Sequence, residues 1–194
     1  MIDTKYRKVA QPSFNYLAKA LIKMKVKADT ITILAFITGI LASIFIAKGF
    51  VWMSIALLWL SGLFDVLDGT VARLSNMSTQ VGAYMDLIFD RMVESSVILG
   101  FYYLFPEYAL AYLLFFVAVL FNFTTFIIAG ALFSNKGKKS MHYDIGIAER
   151  TETFIAFTLM IVFSQYLALI LMIFNAIVFV TGIIRFIRIV KNNN

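Results

Sequence analysis

Long apolar runs, broken at few points by polar residues, leave this chain little choice of fold. They lie at about 31–47, 50–73, 80–104, 108–133, 151–164 and 167–188. A bilayer is crossed by helices of about 20 apolar residues, because only internally bonded backbone is tolerated in hydrocarbon. Of the 194 residues 61 % are hydrophobic and 20 are Phe, whereas ordinary soluble domains are about half apolar. The sequence therefore predicts an all-α integral membrane protein. Six transmembrane helices, in one domain spanning 29–194, follow an N-terminal amphipathic interfacial helix at 1–28. Lys48-Gly49, the polar run LSNMST at 74–79, Pro106-Glu107, the basic loop 134–150 and Ser164-Gln165 mark the turns. The fifth run is short for a span and is expected to begin near Ile147.

The first 28 residues do not read as a span or as a cleavable leader, since they are polar and charged almost throughout. Phe14, Leu17, Leu21 and Met24 recur at spacings of three and four, with Lys19, Lys23 and Lys27 on another face. That pattern predicts a helix lying in the membrane interface. Asp29 or Thr30 is expected to cap the helix that follows. Fifteen of the seventeen basic residues fall in the N-terminal segment, the 73–79 turn, the 134–150 loop and the C-terminal end. All of these share one side of the predicted topology, so the positive-inside rule places them, with both termini, in the cytoplasm. The formal charge of +6 then reflects loops facing anionic lipid and gives no reason to invoke nucleic acid. With no Cys and a single His142, thiolate or imidazole metal sites and a Ser-His-Asp triad are poor explanations.

Four of only eleven carboxylates stand between 65 and 90: Asp65, Asp68, Asp86 and Asp90. Acids at membrane depth are costly and mark function. On a helix, Asp65, Asp68 and Ala72 share one face, as do Gly82, Asp86 and Asp90 on the next. Two antiparallel helices can then aim four carboxylates into one cavity. Such an all-oxygen set suits hard Mg²⁺ or Mn²⁺, and it suffices for two ions sharing ligands, as in phosphoryl transfer. A divalent-metal transporter or channel could use the same aspartates. Arg73, placed beside them, helps a pyrophosphate site and does nothing for a cation path. Arg91, inside the third run, needs a partner, and either Glu94 or an anionic ligand can serve.

Asp65-x-x-Asp68-Gly69-x-x-Ala72-Arg73, eight further residues, then Gly82-x-x-x-Asp86-x-x-x-Asp90 resembles the signature of the CDP-alcohol phosphotransferases. These are membrane enzymes of phospholipid synthesis, and the resemblance implies a site layout. Asp65, Asp68, Asp86 and Asp90 would bind two metal ions, with Asp90 also the general base. Gly69, Ala72, Arg73 and Gly82 would lie along the CDP-linked lipid donor. The family often has Pro-Asn-x-x-Thr where the first span begins. Ala28-Asp29-x-x-Thr32 stands here instead, so Asp29 and Thr32 join the expected donor contacts. The resemblance further implies a homodimer, and CMP as leaving product.

The acceptor is expected to be a small soluble alcohol; one that is itself phosphorylated would call for a basic pocket. Arg91, Lys139, Arg150, Arg185 and Arg188 are the basic residues proposed to meet it, with Lys136 and Lys138 nearby. The pair Asp90-Arg91 with Ala148-Glu149-Arg150-Thr151-Glu152 is similar to the archaeal-type branch that makes inositol phosphate lipids, although Thr153 stands where that branch often has a second Arg.

Overall fold

The computed structural model describes residues 2–133 and 150–193, and side chains from 11 to 132 and from 150 to 191. Among them every regular element is helical: α1 Ile2–Lys23, α2 Ala28–Ala47, α3 Val51–Leu74, α4 Gln80–Leu104, α5 Ala109–Phe133, α6 Arg150–Val162 and α7 Leu167–Asn193, with 3₁₀ turns at Pro106–Tyr108 and Ser164–Tyr166. Two compact units divide them. Thr4–Glu107 holds α2–α4 and nearly all of α1, and Tyr108–Asn194 holds α5–α7.

Among the described residues four helical stretches are long and apolar enough to cross a membrane: Ala28–Ala47, Val51–Leu74, Pro106–Leu132 and Ser164–Lys191. The other two predicted spans differ from these for separate reasons. α4 has the length, 25 residues, but carries Asp86, Asp90, Arg91 and Glu94. α6 has 13 residues, short of the about 20 that a bilayer needs. Its expected start near Ile147 lies outside the described residues, as do Lys139, Lys136, Lys138 and His142.

The turns follow from local chemistry. Lys27, in extended conformation, is the N-cap of α2 and supplies no side-chain bond. Asp29 and Thr30 are therefore inside the first turn and not caps, contrary to expectation. The Asp29 charge there still complements the positive end of the helix. The α1–α2 reversal uses Lys25 at φ 58°, and Gly49 at φ 75° ends the turn after α2. Asn76, at φ 53°, turns the chain after α3; Asn tolerates the left-handed region better than most residues. Thr79 then caps α4, its hydroxyl accepting from the Gly82 N–H at 2.9 Å.

In the first unit, α2 packs on both α3 and α4 through small residues. A Cβ on Gly39 would stand 2.6 Å from the Val93 methyls, and one on Gly100 would stand 2.6 Å from the Ser43 carbonyl oxygen. Close approach of this kind is how membrane helices gain contact where water supplies no driving force. The Ser61 hydroxyl donates to the Ala35 carbonyl at 2.7 Å, and the Ser43 hydroxyl donates to the Ser96 carbonyl. Phe36 of α2 stacks on Phe89 of α4 at 4.5 Å.

α1 rests on this unit by a stripe rotated from the predicted one. Ala18 is fully buried with Ile31, Leu67 and Val71, and Phe14, Leu21 and Ile22 pack against them. Leu17 and Met24, expected on the apolar stripe, are exposed. A small Ala allows the α1 backbone to come close, so the contact stripe is centred on Ala18 and not on the largest side chains.

The second unit is aromatic. Phe115, Phe157 and Phe174 meet with ring centroids 6.3–6.4 Å apart. The Asn175 amide donates to the Ala111 carbonyl at 3.0 Å, tying α7 to α5.

Candidate active site

Three helices of the first unit converge on one cavity of about 140 Å³. α2 contributes Ala28, Asp29 and Thr32; α3 contributes Asp68 and Ala72; α4 contributes Gly82, Ala83 and Asp86. Met77, Ser78 and Thr79, from the α3–α4 connection, complete the lining. Helical spacing accounts for the selection. Asp68 and Ala72 are one turn apart on α3, and Gly82 and Asp86 one turn apart on α4, so each pair shares a face.

Asp65, Asp68 and Asp86 each offer a carboxylate oxygen, and these atoms lie within 4.8 Å of one another. Asp68 is buried while Asp65 and Asp86 are half-buried. Three acids this close repel one another unless a cation lies between them. An all-oxygen set that opens on a cavity suits a hard divalent ion that keeps room for water or phosphate. Asp90, half-buried, is not in that group of three and lies one turn further along α4.

Arg73 folds back along α3. Its Nη2 donates to the Thr70 hydroxyl at 3.2 Å, and its Nη1 lies 3.2 Å from the point where a Cβ on Gly69 would stand. Helical side chains lean toward the N-terminus, and the bare Gly69 leaves room for the guanidinium one turn back. Thr32 is buried and donates its hydroxyl proton to the Ala28 carbonyl at 3.1 Å, which leaves the oxygen's lone pairs as acceptors at the cavity. Gly82 faces Asp29 and Thr79 closely: a Cβ there would stand 3.3 Å from Asp29 Oδ1 and 3.1 Å from the Thr79 hydroxyl. Neither Thr79 nor Ser78 stands out in the sequence as a site residue. The available signal was the pattern of a Thr followed three residues later by the first motif residue of α4, a helix-start signature.

The basic residues proposed for the acceptor have varied surroundings. Arg91 forms an ion pair with Glu94 at 2.7 Å, and the Glu94 side chain is 8 % exposed. In the second unit, Arg185 is buried and its Nη1 donates to both the carbonyl and the side-chain oxygen of Asn122, at 2.9 and 2.7 Å. Its guanidinium also lies 5.4 Å from the Phe126 ring centroid. Arg150 sits over the Phe154 ring at 5.5 Å, and Arg188 is exposed.

The family model described as CDP-alcohol phosphatidyltransferase matches residues 25–185. The chain is 31 % identical over 193 residues to the inner membrane protein YnjF of Escherichia coli, covering 95 % of this chain and 93 % of that one. It is 37 % identical over 78 residues to an archaetidylinositol phosphate synthase of Methanothermobacter thermautotrophicus, 40 % of each chain. Among solved structures, its fold is similar to that of the Mycobacterium tuberculosis phosphatidylinositol phosphate synthase with CDP-DAG bound. The TM-score is 0.76 at 21 % identity, covering 91 % of this chain and 92 % of that one. The same enzyme in complex with manganese and citrate gives 0.75 at 20 % identity, over 91 % and 88 %.

Proposed function

The chain belongs to the CDP-alcohol phosphatidyltransferase family, and from that membership we propose that it transfers a substituted phosphoryl group from a CDP-linked lipid, such as CDP-diacylglycerol or CDP-archaeol, to an alcohol. The acceptor oxygen bonds to the lipid-bearing phosphorus, the bond from that phosphorus to CMP breaks, and the hydroxyl proton leaves to a base. The observation that carries this reading is the convergence of Asp65, Asp68 and Asp86 at a cavity also lined by Asp29, Thr32, Ala72 and Gly82.

Two ions of Mg²⁺ or Mn²⁺ fit the acids, with Asp90 as the fourth ligand, and when bound they neutralise the pyrophosphate and polarise the bond that breaks. The manganese in a relative's structure supports the choice of ion. Asp90, at the far end of the acidic face, accepts the acceptor's proton. Arg73, beside Gly69, donates to a donor phosphate in two-pronged fashion. Gly69, Ala72 and Gly82 keep the helix surfaces low enough for the donor to lie against the backbone.

The acceptor is an alcohol that itself carries a phosphate, inositol phosphate or glycerol phosphate. Support comes from the relatives named for inositol phosphate lipids and from the cations Arg150, Arg185 and Arg188, to which the basic loop before Arg150 adds Lys139. Arg91 is assigned to Glu94 first and to the acceptor second, since its ion pair already satisfies it in part.

The same reading sets the chain in the membrane with six spans, α2 to α7, both termini and the site toward the cytoplasm, as a homodimer. The acidic face of α4 turned toward α2 and α3 is what lets that helix span. α1 lies in the interface, supported by exposed Tyr16, Lys19 and Lys23 on faces away from its buried Ala18.

The test is CMP release by purified protein given labelled CDP-diacylglycerol or CDP-archaeol, a panel of alcohols, and Mg²⁺, Mn²⁺ or chelator. Metal-dependent release with one phosphorylated alcohol is expected. Release in no arm, together with metal flux into liposomes, would replace the enzyme by a transporter.

A further inference from the structure

In the second unit the guanidinium of Arg185 is seated on one face of α5. Asn122 and Phe126 are one turn apart on that helix and so share the face. Arg185 Nη1 donates at 2.7 Å to the Asn122 side-chain oxygen and at 2.9 Å to its carbonyl, and the Phe126 ring centroid lies 5.4 Å from the guanidinium carbon. Gly182 makes the reach possible. A Cβ there would stand 3.2 Å from the Asn122 Cα, so the α7 backbone passes close to Asn122 one turn before Arg185. Helical side chains lean toward the N-terminus, which brings the Arg185 side chain back over Gly182 to Asn122.

The chemistry of this seat differs from that around Arg91. On α4, Arg91 meets the Glu94 carboxylate at 2.7 Å, a contact that cancels charge. Asn122 offers Arg185 two neutral oxygens. A guanidinium can only donate, so the amide must present Oδ1 to it. The Asn122 carbonyl also accepts from the Thr125 hydroxyl at 2.7 Å, and the side-chain oxygen makes the shorter bond to Arg185. Two oxygens on one nitrogen, with a ring beside it, fix both the position and the plane of the guanidinium, and these contacts leave its charge as it is. A carboxylate in the place of the amide would make a stronger, charge-assisted bond, but it would neutralise the cation it holds.

A phosphate is best gripped by a guanidinium whose fork is presented in a fixed plane. Resting on the phosphatidyl-transfer reading with a phosphorylated acceptor, we propose that Asn122 is a positioning residue for that acceptor: its two oxygens hold the Arg185 guanidinium in the plane that takes the phosphate and, being neutral, leave its charge to the phosphate. Asn122 acts through Arg185. The amide thereby favours an alcohol that carries a phosphate over the same alcohol without one.

The experiment is CMP release from CDP-diacylglycerol with Mg²⁺ or Mn²⁺, with inositol phosphate or glycerol phosphate as acceptor, by wild type, Asn122→Asp and Asn122→Ala, alongside melting temperatures in detergent. Asn122→Asp is the decisive variant, because it keeps the shape and both oxygens. The KM of the phosphorylated acceptor is expected to rise about tenfold or more, the weight of one charged hydrogen bond, with the KM of CDP-diacylglycerol unchanged and the melting temperature equal or higher. A residue that only ties α5 to α7 predicts a bond as good or better and no change in either KM. In Asn122→Ala the carbonyl bond remains, and the acceptor KM is expected to rise several-fold, again alone. An acceptor KM unchanged in either folded variant, or donor and acceptor KM raised alike, overturns the positioning role and leaves the proposed reaction standing. Should Asn122→Asp not fold, Asn122→Ala decides on the same criteria. If neither phosphorylated alcohol supports CMP release by the wild type, the acceptor reading falls and the role of Asn122 with it.

Discussion

In the unit Thr4–Glu107 the tight contacts are made by Gly39, Ser43, Ser61 and Gly100, and the buried charges include the acids Asp68 and Glu94. In Tyr108–Asn194 the core is made by Phe115, Phe157 and Phe174, and the buried charge is Arg185. The two kinds of packing are matched to the two kinds of charge. Acids that must share a cation need backbones close together, and only small residues permit that. A guanidinium is broad and weakly hydrated, and it lies well against aromatic rings, as Arg185 does against Phe126. On the proposed function, the acidic unit holds the residues assigned to the metals and the CDP donor, and Arg150, Arg185 and Arg188, assigned to the acceptor, belong to the other unit.

The largest effects should come from the acids. Asp68→Asn removes the buried charge at the centre of the cluster, and CMP release is expected to fall below detection, with Mn²⁺ binding lost in titration. Retained Mn²⁺ affinity would break the link between this unit and metal. Asp90→Asn keeps the shape and a ligand oxygen but not the base. Turnover is expected to fall by roughly 10²–10⁴-fold while CDP still binds with Mn²⁺. A rate near wild type would make Asp90 a ligand only.

The convergence of Asp65, Asp68 and Asp86 was legible in the sequence because spacing carries the information: three and four residues along a helix fix a shared face whatever surrounds it, although Asp90 stands outside that group. The helix limits were equally legible, as with α4, since charge and Pro interrupt hydrocarbon abruptly. Other features depend on partners far off in the chain. Nothing local tells that Arg185 is engaged by Asn122, 63 residues earlier. On α1, hydropathy favoured Leu17 and Met24, whereas the contact with Leu67 and Val71 selected Ala18. The cap of α2 was misplaced for a related reason. Asp29 has the right chemistry for a cap, but the α1–α2 turn at Lys25 starts the helix one residue before it.

Smaller effects should come from the cations. Arg185→Lys keeps the charge and loses the planar fork that reaches both oxygens of Asn122. The KM of a phosphorylated acceptor is expected to rise by about tenfold, as one charged hydrogen bond is weakened, with CDP affinity unchanged. Equal loss for donor and acceptor would show that Arg185 is a tie between α5 and α7 and nothing more, and would remove the acceptor role from the aromatic unit.

The smallest effect separates the two kinds of packing themselves. Gly100→Ala sets a Cβ 2.6 Å from the Ser43 carbonyl oxygen and 3.3 Å from Ile46 Cβ. Backbone cannot rotate away, so α2 and α4 must move apart, and overpacking of this kind costs about 1–3 kcal/mol. Gly182→Ala sets a Cβ 2.8 Å from the Phe121 ring, a side chain that can tilt, and 3.2 Å from the Asn122 Cα, where a shift of a few tenths of an ångström is enough. Both variants are expected to lower the melting temperature in detergent, Gly100→Ala more than Gly182→Ala. Because the shift in Gly100→Ala separates helices that carry Asp29 and Asp86, it should also weaken CDP binding with Mn²⁺ several-fold, whereas Gly182→Ala should leave that binding in place. A reversed order of melting temperatures would mean that the aromatic unit is the more tightly packed of the two. Intact CDP binding in Gly100→Ala would mean that the cavity tolerates movement between α2 and α4.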